Sequence, residues 1–377
     1  MSSNPHLLFC PYLSLASRVE IGDWTVGPSD DFAGPWLSAE FESRAREFLS
    51  KFQDADGQPI KNPSLIWRRD RGEDGVAPTA AEYRALQLGL HLALLDTNPP
   101  WQDHLDGNWI ATSDNSDLFV WPLDVARGSI GTVRGAIVKV LTGGHNISDP
   151  RFAVRAPLEL HIPMRMRLNG ELGTALYSIL LDESADGDLA KRIGTAIRWL
   201  AKSWRNTVSL GAEDQVVMIR TALEALTGTS KTRRAIAWLE QTFDALRQHG
   251  AHDARFTEHL LWSPDERPTR EITLPGRDGK PETHAVTDLG HWFSTFGHAR
   301  HQIVHEGVVP QLTYELDGSR YNGPLFHTGE RLTREAIKAS LIRFGYSDLW
   351  QQEIFRALKR TIQRSGLAER LAQEPSG

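Results

Sequence analysis

The stretch DESADGDLAKRIGTAIRWLAKSW, residues 182–204, marks where the chain changes character. Its first seven residues are acidic, polar or small, with one glycine, the composition of a turn between compact elements. From there onward Leu189, Ile193, Ile197, Leu200 and Trp204 recur at helical spacing. The same period continues in Val216, Ile219, Leu223 and Leu226, and again in Ile236, Leu239, Phe243 and Leu246. Upstream the pattern is different. SLIWRRD (64–70), DLFVWP (117–122) and GTVRGAIVKVL (131–141) are β-prone. FAVRAPLELHI and GTALYSILL flank Asn169-Gly170, which signals a hairpin. The apolar run near the N-terminus, broken by Pro11 and lacking a basic lead-in, is expected to be a first strand and not a signal peptide. Two helices are expected in this half, at 38–52 and 80–96, the second stopped by Asn98-Pro99-Pro100. The fold class expected is therefore α+β. A strand-rich mixed domain over 1–183, serving as sensor or regulator, precedes an all-α helical domain over 184–377.

Bulk composition agrees with two soluble domains. The chain has 377 residues, 40% hydrophobic and 24% charged, enough to bury substantial cores. No run of about 18 apolar residues occurs, so no membrane span is expected. Its one cysteine, Cys10, cannot form an internal disulfide, which suits the cytoplasm. A net charge of −6 argues against a protein that coats nucleic acid broadly, yet leaves room for one local basic patch. In the first half Trp24, Trp67 and Trp121 either line a ligand pocket or belong to the core. TGGHN (142–146) lacks the lysine and spacing of a phosphate loop and reads as a turn.

The second half holds a long polar segment with Pro264, Pro268, Pro275 and Pro281, expected to be a loop over 249–287. A helix should follow, capped at Thr287-Asp288 and ended by Gly307, with Pro310 beyond it. Helical segments at 332–345 and 348–366 close the chain. From Glu330 to Arg370 nine Lys/Arg face five Asp/Glu, a solvated face or a track for an RNA backbone.

GHARHQIVHEG (297–307) ends the capped helix and carries the chemistry. Trp292, Phe296, Ala299 and Ile303 share an apolar stripe, and His291, His298, His301 and His305 gather on roughly the opposite side. Three readings are open. His298, His301 and His305 could ligate a metal, although no cysteine cluster or acidic pair completes a shell. They could form a polar face without function. Or Arg300 and His305 could act together, a guanidinium holding a phosphate while an imidazole moves a proton. On an ideal helix these two lie about 140° apart, awkward for one compact site. Two copies of the helix facing each other would supply both an acid and a base.

ARHQIVHEG resembles the Arg-[Asn/Asp/His]-X3-His signature of HEPN domains, the higher eukaryotes and prokaryotes nucleotide-binding helical family. It is most similar to the ApeA-like branch. IRTALEALTG (219–228) and LFHTGERLTREAIKASLIRFG (325–345) are similar to that branch too, and the resemblance spans roughly 187–372. It implies a helical bundle that forms a homodimer with a composite active site. The activity implied is that of a metal-independent endoribonuclease, a toxin or abortive-infection anti-phage effector needing no cofactor. By match to the signature, Arg300 would bind the scissile phosphate, His305 would be the general acid/base, and His301 would orient the site. Glu224 matches an acidic position that either supports Arg300 or is a surface charge. The alternative is a non-catalytic RNA- or nucleotide-binding and dimerisation module. The N-terminal half would take a regulatory ligand or phage component.

Overall fold

The computed structural model describes residues 7–31, 62–68, 79–97, 166–182, 186–205, 210–248, 270–276, 279–310 and 323–346, with a few shorter pieces between them. The molecule is mixed α and β, mostly helical, with small sheets that are chiefly antiparallel. The chain divides into two compact units, Met1–Gly211 and Ala212–Gly377. None of the described helices is long and apolar enough to cross a membrane.

In the first unit β1 (Leu7–Cys10), β2 (Val19–Ile21), β3 (Trp24–Pro28), β5 (Ser64–Arg68) and β6 (Phe119–Val120) form an antiparallel sheet in the order β2-β3-β5-β1-β6. The two-residue strands β4 (Phe52–Gln53) and β7 (Phe152–Ala153) pair in parallel apart from it. Every residue of β3 and β5 is buried, which explains why SLIW reads as a continuous apolar run and not as an alternating one. Trp24 and Trp67 belong to this core. Trp121, the strand expected at 131–141, TGGHN and most of the helix expected at 38–52 lie outside the described residues. Arg68 ends β5 buried, its guanidinium 2.6 Å from Glu82 and 3.6 Å from Asp23, above the Trp24 ring. Burial pushes the Glu82 carboxyl up, but the Thr79 N–H and Arg68 outweigh it and hold the group below its ordinary range.

Helix α1 (Ala80–Thr97) is buried all round from Leu88 to Leu95 and crosses α2 (Gly170–Leu181) closely. Gly89 and Gly173 meet at the crossing, where a β-carbon on Gly89 would stand 2.9 Å from the Gly173 carbonyl oxygen. Here the expected hairpin at Asn169-Gly170 is replaced by a helix. Asn169 caps α2, its side-chain oxygen accepting from Leu172 N at 3.2 Å while its amide donates to Asp96 at 2.8 Å. Leu172, Leu176 and Ile179 then fall on one buried face, a period that a strand could not bury on one side.

The acidic stretch expected to end the first domain joins α2 to α3 (Gly187–Ser203) within the first unit. Asp186 accepts from Leu189 N at 3.2 Å as the cap of α3, and α3 packs on α1 and α2. Of that stretch Asp182 and Asp186 are helix caps, and the two compact units meet in sequence at Gly211–Ala212.

The second unit contains α4 (Ala212–Thr227), α5 (Thr232–Gln248), α6 (Asp288–His301) and α7 (Leu325–Leu341), which pack on one another, and a hairpin. The stripes read from the sequence are its core: Val216, Ile219, Leu223, Leu226, Leu239 and Phe243 are each 1% exposed or less. The segment expected to be structureless over 249–287 includes β8 (Arg270–Pro275) and β9 (Pro281–Val286), paired from Arg270↔Val286 to Pro275↔Pro281. Of the prolines that suggested a loop, Pro275 and Pro281 sit at the turn end of each strand, where a missing N–H costs little, and Pro264 and Pro268 lie outside the described residues. Another two-residue pair, β10 (Thr313–Tyr314) with β11 (Gly323–Pro324), precedes α7.

Within 330–345 two of the basic residues counted toward an RNA track are turned inward. Arg334 and Lys338 are buried beside Glu330 and Glu335, and Arg343 stacks over Trp238 at 5.9 Å. Glu330 is itself 0% exposed; burial pushes its carboxyl up, against the opposing pull of Arg334. The segment 348–366 lies outside the described residues.

Candidate functional site

Helix α6 begins as its sequence demands. Thr287 Oγ1 accepts from Gly290 N at 3.2 Å and donates to Glu240 at 2.8 Å, while Arg270 of β8 pairs with Asp288. Leu289, Trp292, Phe293, Phe296 and Ala299 are buried, with Trp292 stacked on Phe296 at 4.8 Å. That apolar face fixes the rotation of the helix and so decides which side its histidines take.

Past His301 the helix loosens. Gln302–Glu306 forms a π turn, and Gly307 N–H and Val308 N–H both reach back to the Gln302 carbonyl. Gly307 adopts φ 66°, the left-handed conformation that ends a helix and that glycine takes without a Cβ penalty. A π turn packs more residues into each revolution, so each advances less than 100°. Taking roughly 80° per residue for the π steps narrows the angle between Arg300 and His305 from about 140° to roughly 80°.

The histidines are presented outward. His298, His301 and His305 are exposed, and the rings of His301 and His305 lie 4.8 Å apart at 44°. Glu306 stands 3.8 Å from His301 Nε2, an ion pair whenever that ring is protonated. His291, near the start of the helix, is half-buried, and burial with the nearby Arg270 charge lowers its pKa. Among the described residues no three His, Cys, Asp or Glu side chains come together as a metal-holding group.

Arg300 takes the other side. It is half-buried, its Nε is inaccessible and without a hydrogen-bond partner, and its charge acts on Arg220 of α4. Arg220 is 2% exposed and was not among the residues singled out in the sequence. Its guanidinium lies over the Phe293 ring at 3.9 Å, passes beside Gly297, and meets Glu224 at 3.4 Å. Burial pulls the Arg220 pKa down to about 10; Glu224 opposes this, and Arg300 adds to the pull. At neutral pH the group remains charged. Glu224 is therefore the partner of Arg220, not a direct partner of Arg300.

The structure thus brings His301 and His305 together, and sets Arg300 beside the Arg220–Glu224 pair. Among the described residues there is no bond between Arg300 and either histidine. Arg220 had a readable signal: it lies in register with Val216 and Leu223 on the buried face of α4, where a charge is out of place. No family model, curated protein or solved structure matches the chain.

Proposed function

We propose that the chain is a metal-independent endoribonuclease of the HEPN type, its site built on the end of α6. The observation that carries this reading is the outward-facing pair of His301, the last residue of α6, and His305, on the π turn beyond it, close in sequence to Arg300, whose guanidinium lies in a cationic niche. His305 takes the proton of a ribose 2′-hydroxyl, whose oxygen attacks the adjacent phosphorus. Arg300 holds the phosphate oxygens as their charge grows, and the 5′-oxygen leaves with a proton. The products are a 2′,3′-cyclic phosphate and a 5′-hydroxyl. The proton for the leaving oxygen comes from His305 of a second copy, which supplies the composite site of a homodimer. Val304, Val308 and Val309, exposed at 45%, 48% and 61%, flank His305 and offer the apolar surface such a pairing needs. His301 orients the His305 ring through their contact. The resemblance alone supports the setting: a cytoplasmic toxin or abortive-infection effector whose first unit responds to a trigger.

A second reading has its own support. Within one chain the charge of Arg300 acts on Arg220, and among the described residues no bond joins Arg300 to the histidines, which suits a module that holds RNA or nucleotide without cutting it. RNA cleavage in EDTA separates the two. The purified protein cuts RNA and leaves 2′,3′-cyclic ends, and Arg300→Ala or His305→Ala lowers the rate by about 10² to 10⁴. Undiminished cutting by both variants removes the assignment; tight binding without turnover favours the module.

A further inference from the structure

We infer that Arg220 and Arg300 together form a two-guanidinium cradle for a phosphate oxyanion, the phosphodiester of the RNA in the reaction proposed above. The identity of that phosphate rests on the ribonuclease reading; the cradle itself rests on the geometry between α4 and α6.

A guanidinium is costly to bury, and Arg220 occupies a face of α4 that Val216, Ile219 and Leu223 fill with aliphatic carbon. A leucine or methionine there would pack without that cost. The ion pair with Glu224 offsets only part of it. Glu224 faces Nε at 3.4 Å, a long contact, and Nη1 is buried with no hydrogen-bond partner. A second positive group, Arg300, is placed close enough to disfavour the charge on Arg220, and its own Nε is likewise buried and unpartnered. Two cations beside one carboxylate, which pairs with Arg220 alone, leave an excess of one positive charge and two unpartnered donor nitrogens. An oxyanion answers both at once, since its oxygens accept several hydrogen bonds and its charge removes the repulsion.

The surroundings hold Arg220 ready for this. The Phe293 ring beneath the guanidinium fixes its plane, and the Nη2 edge lies beside α6 at Gly297, 3.6 Å from where a β-carbon would stand. Phe293, Gly297 and Arg300 stand at i, i+4 and i+7, one stripe of the helix, so the edge of Arg220 and the head of Arg300 share a face. Arg220 is then a phosphate-binding group supplied by a different helix from the one that carries the signature.

The test uses the full chain and inorganic phosphate, so it does not depend on turnover. At matched ionic strength, phosphate raises the Tm of the wild type above its value in sodium chloride. The rise is about 4 °C when phosphate exceeds its Kd about tenfold. Arg220→Met and Arg300→Ala abolish the shift, and Arg220→Lys, which keeps the charge but loses the fork, reduces it. Glu224→Gln moves the other way: removing the competing carboxylate tightens phosphate binding several-fold. The absence of any phosphate shift in the wild type overturns the cradle. So does a full wild-type shift in Arg220→Met or, should that variant not fold, in Arg220→Lys. The two readings fail separately. A protein that cuts no RNA but loses its phosphate shift with Arg220 keeps the cradle, and one that cuts RNA with Arg220-independent phosphate binding keeps only the nuclease. In the cleavage assay Arg220→Lys lowers kcat/KM by about tenfold or more, as loss of a bidentate contact to a phosphate should.

Discussion

His91 gives the first unit a defined sensitivity to acid. It sits in α1, 4% exposed, and its imidazole pKa is pulled down to about 4 by burial and, secondarily, by the charge of Arg205. An unfolded chain takes up this proton near pH 6.5, whereas the fold resists it until about pH 4. The folded pKa is the lower of the two, so the neutral ring favours folding. Its contribution is complete above pH 6.5, declines as the pH falls, and is gone near pH 4. A gap of about 2.5 pH units at 1.36 kcal/mol each amounts to on the order of 3 kcal/mol. Urea unfolding of the wild type and His91→Leu, followed by circular dichroism between pH 7.5 and 4.5, isolates the effect from that of the carboxylates common to both. Between pH 6 and 4.5 the wild type should lose about 1.4 kcal/mol per pH unit more than the variant. A difference between the two proteins that stays constant across this range refutes the argument, whatever its absolute size.

Other expectations follow from packing and charge. Gly89→Ala should destabilise the first unit by about 1–2 kcal/mol, because overpacking against the Gly173 carbonyl outweighs the gain in helix propensity. Gly187→Ala, where nothing lies within 4 Å, should be neutral or stabilising, and equal melting shifts for the two would contradict the close crossing. In α7, Glu330 has a raised pKa, so its ionised form opposes folding increasingly as the pH rises above the carboxyl's ordinary value. Glu330→Gln should therefore gain on the wild type in Tm from pH 5 to pH 8, and a gain that shrinks over that range would reverse the sign of the effect.

Much of the second unit was legible because its signals are local and periodic. Thr287 as a cap, the Trp292–Phe296–Ala299 stripe and Gly307 as a stop are all present in the structure. Ile303 of that stripe is only half-buried, on the π turn beyond the packed part of the helix. Nothing in QIVHE announces that turn, since each of its residues is also compatible with an α-helix. Asn169 misled for a physical reason: the side-chain acceptor that closes a hairpin turn also caps a helix, and only the spacing of Leu172, Leu176 and Ile179 decides between them. The hairpin of β8 and β9 was hidden by prolines that break helices anywhere but break strands only in the interior of a sheet. Of the candidate site, the sequence identified the exposed residues and missed Arg220. A lone cation in an apolar stripe acquires meaning only when another helix sets a second cation beside it.

The π turn also divides the site mechanically. Arg300 stands on the last regular turn of a helix clamped by five buried side chains, so its position is that of a rigid strut. His305 stands on a wound-in surplus of backbone, exposed, ended by a glycine, and free of the core. One side chain stands on a helix held by the core, and the other on backbone that the core does not hold. In the reaction proposed above, the phosphate would then be held from a helix packed in the core, and the proton moved by a histidine that stands outside it.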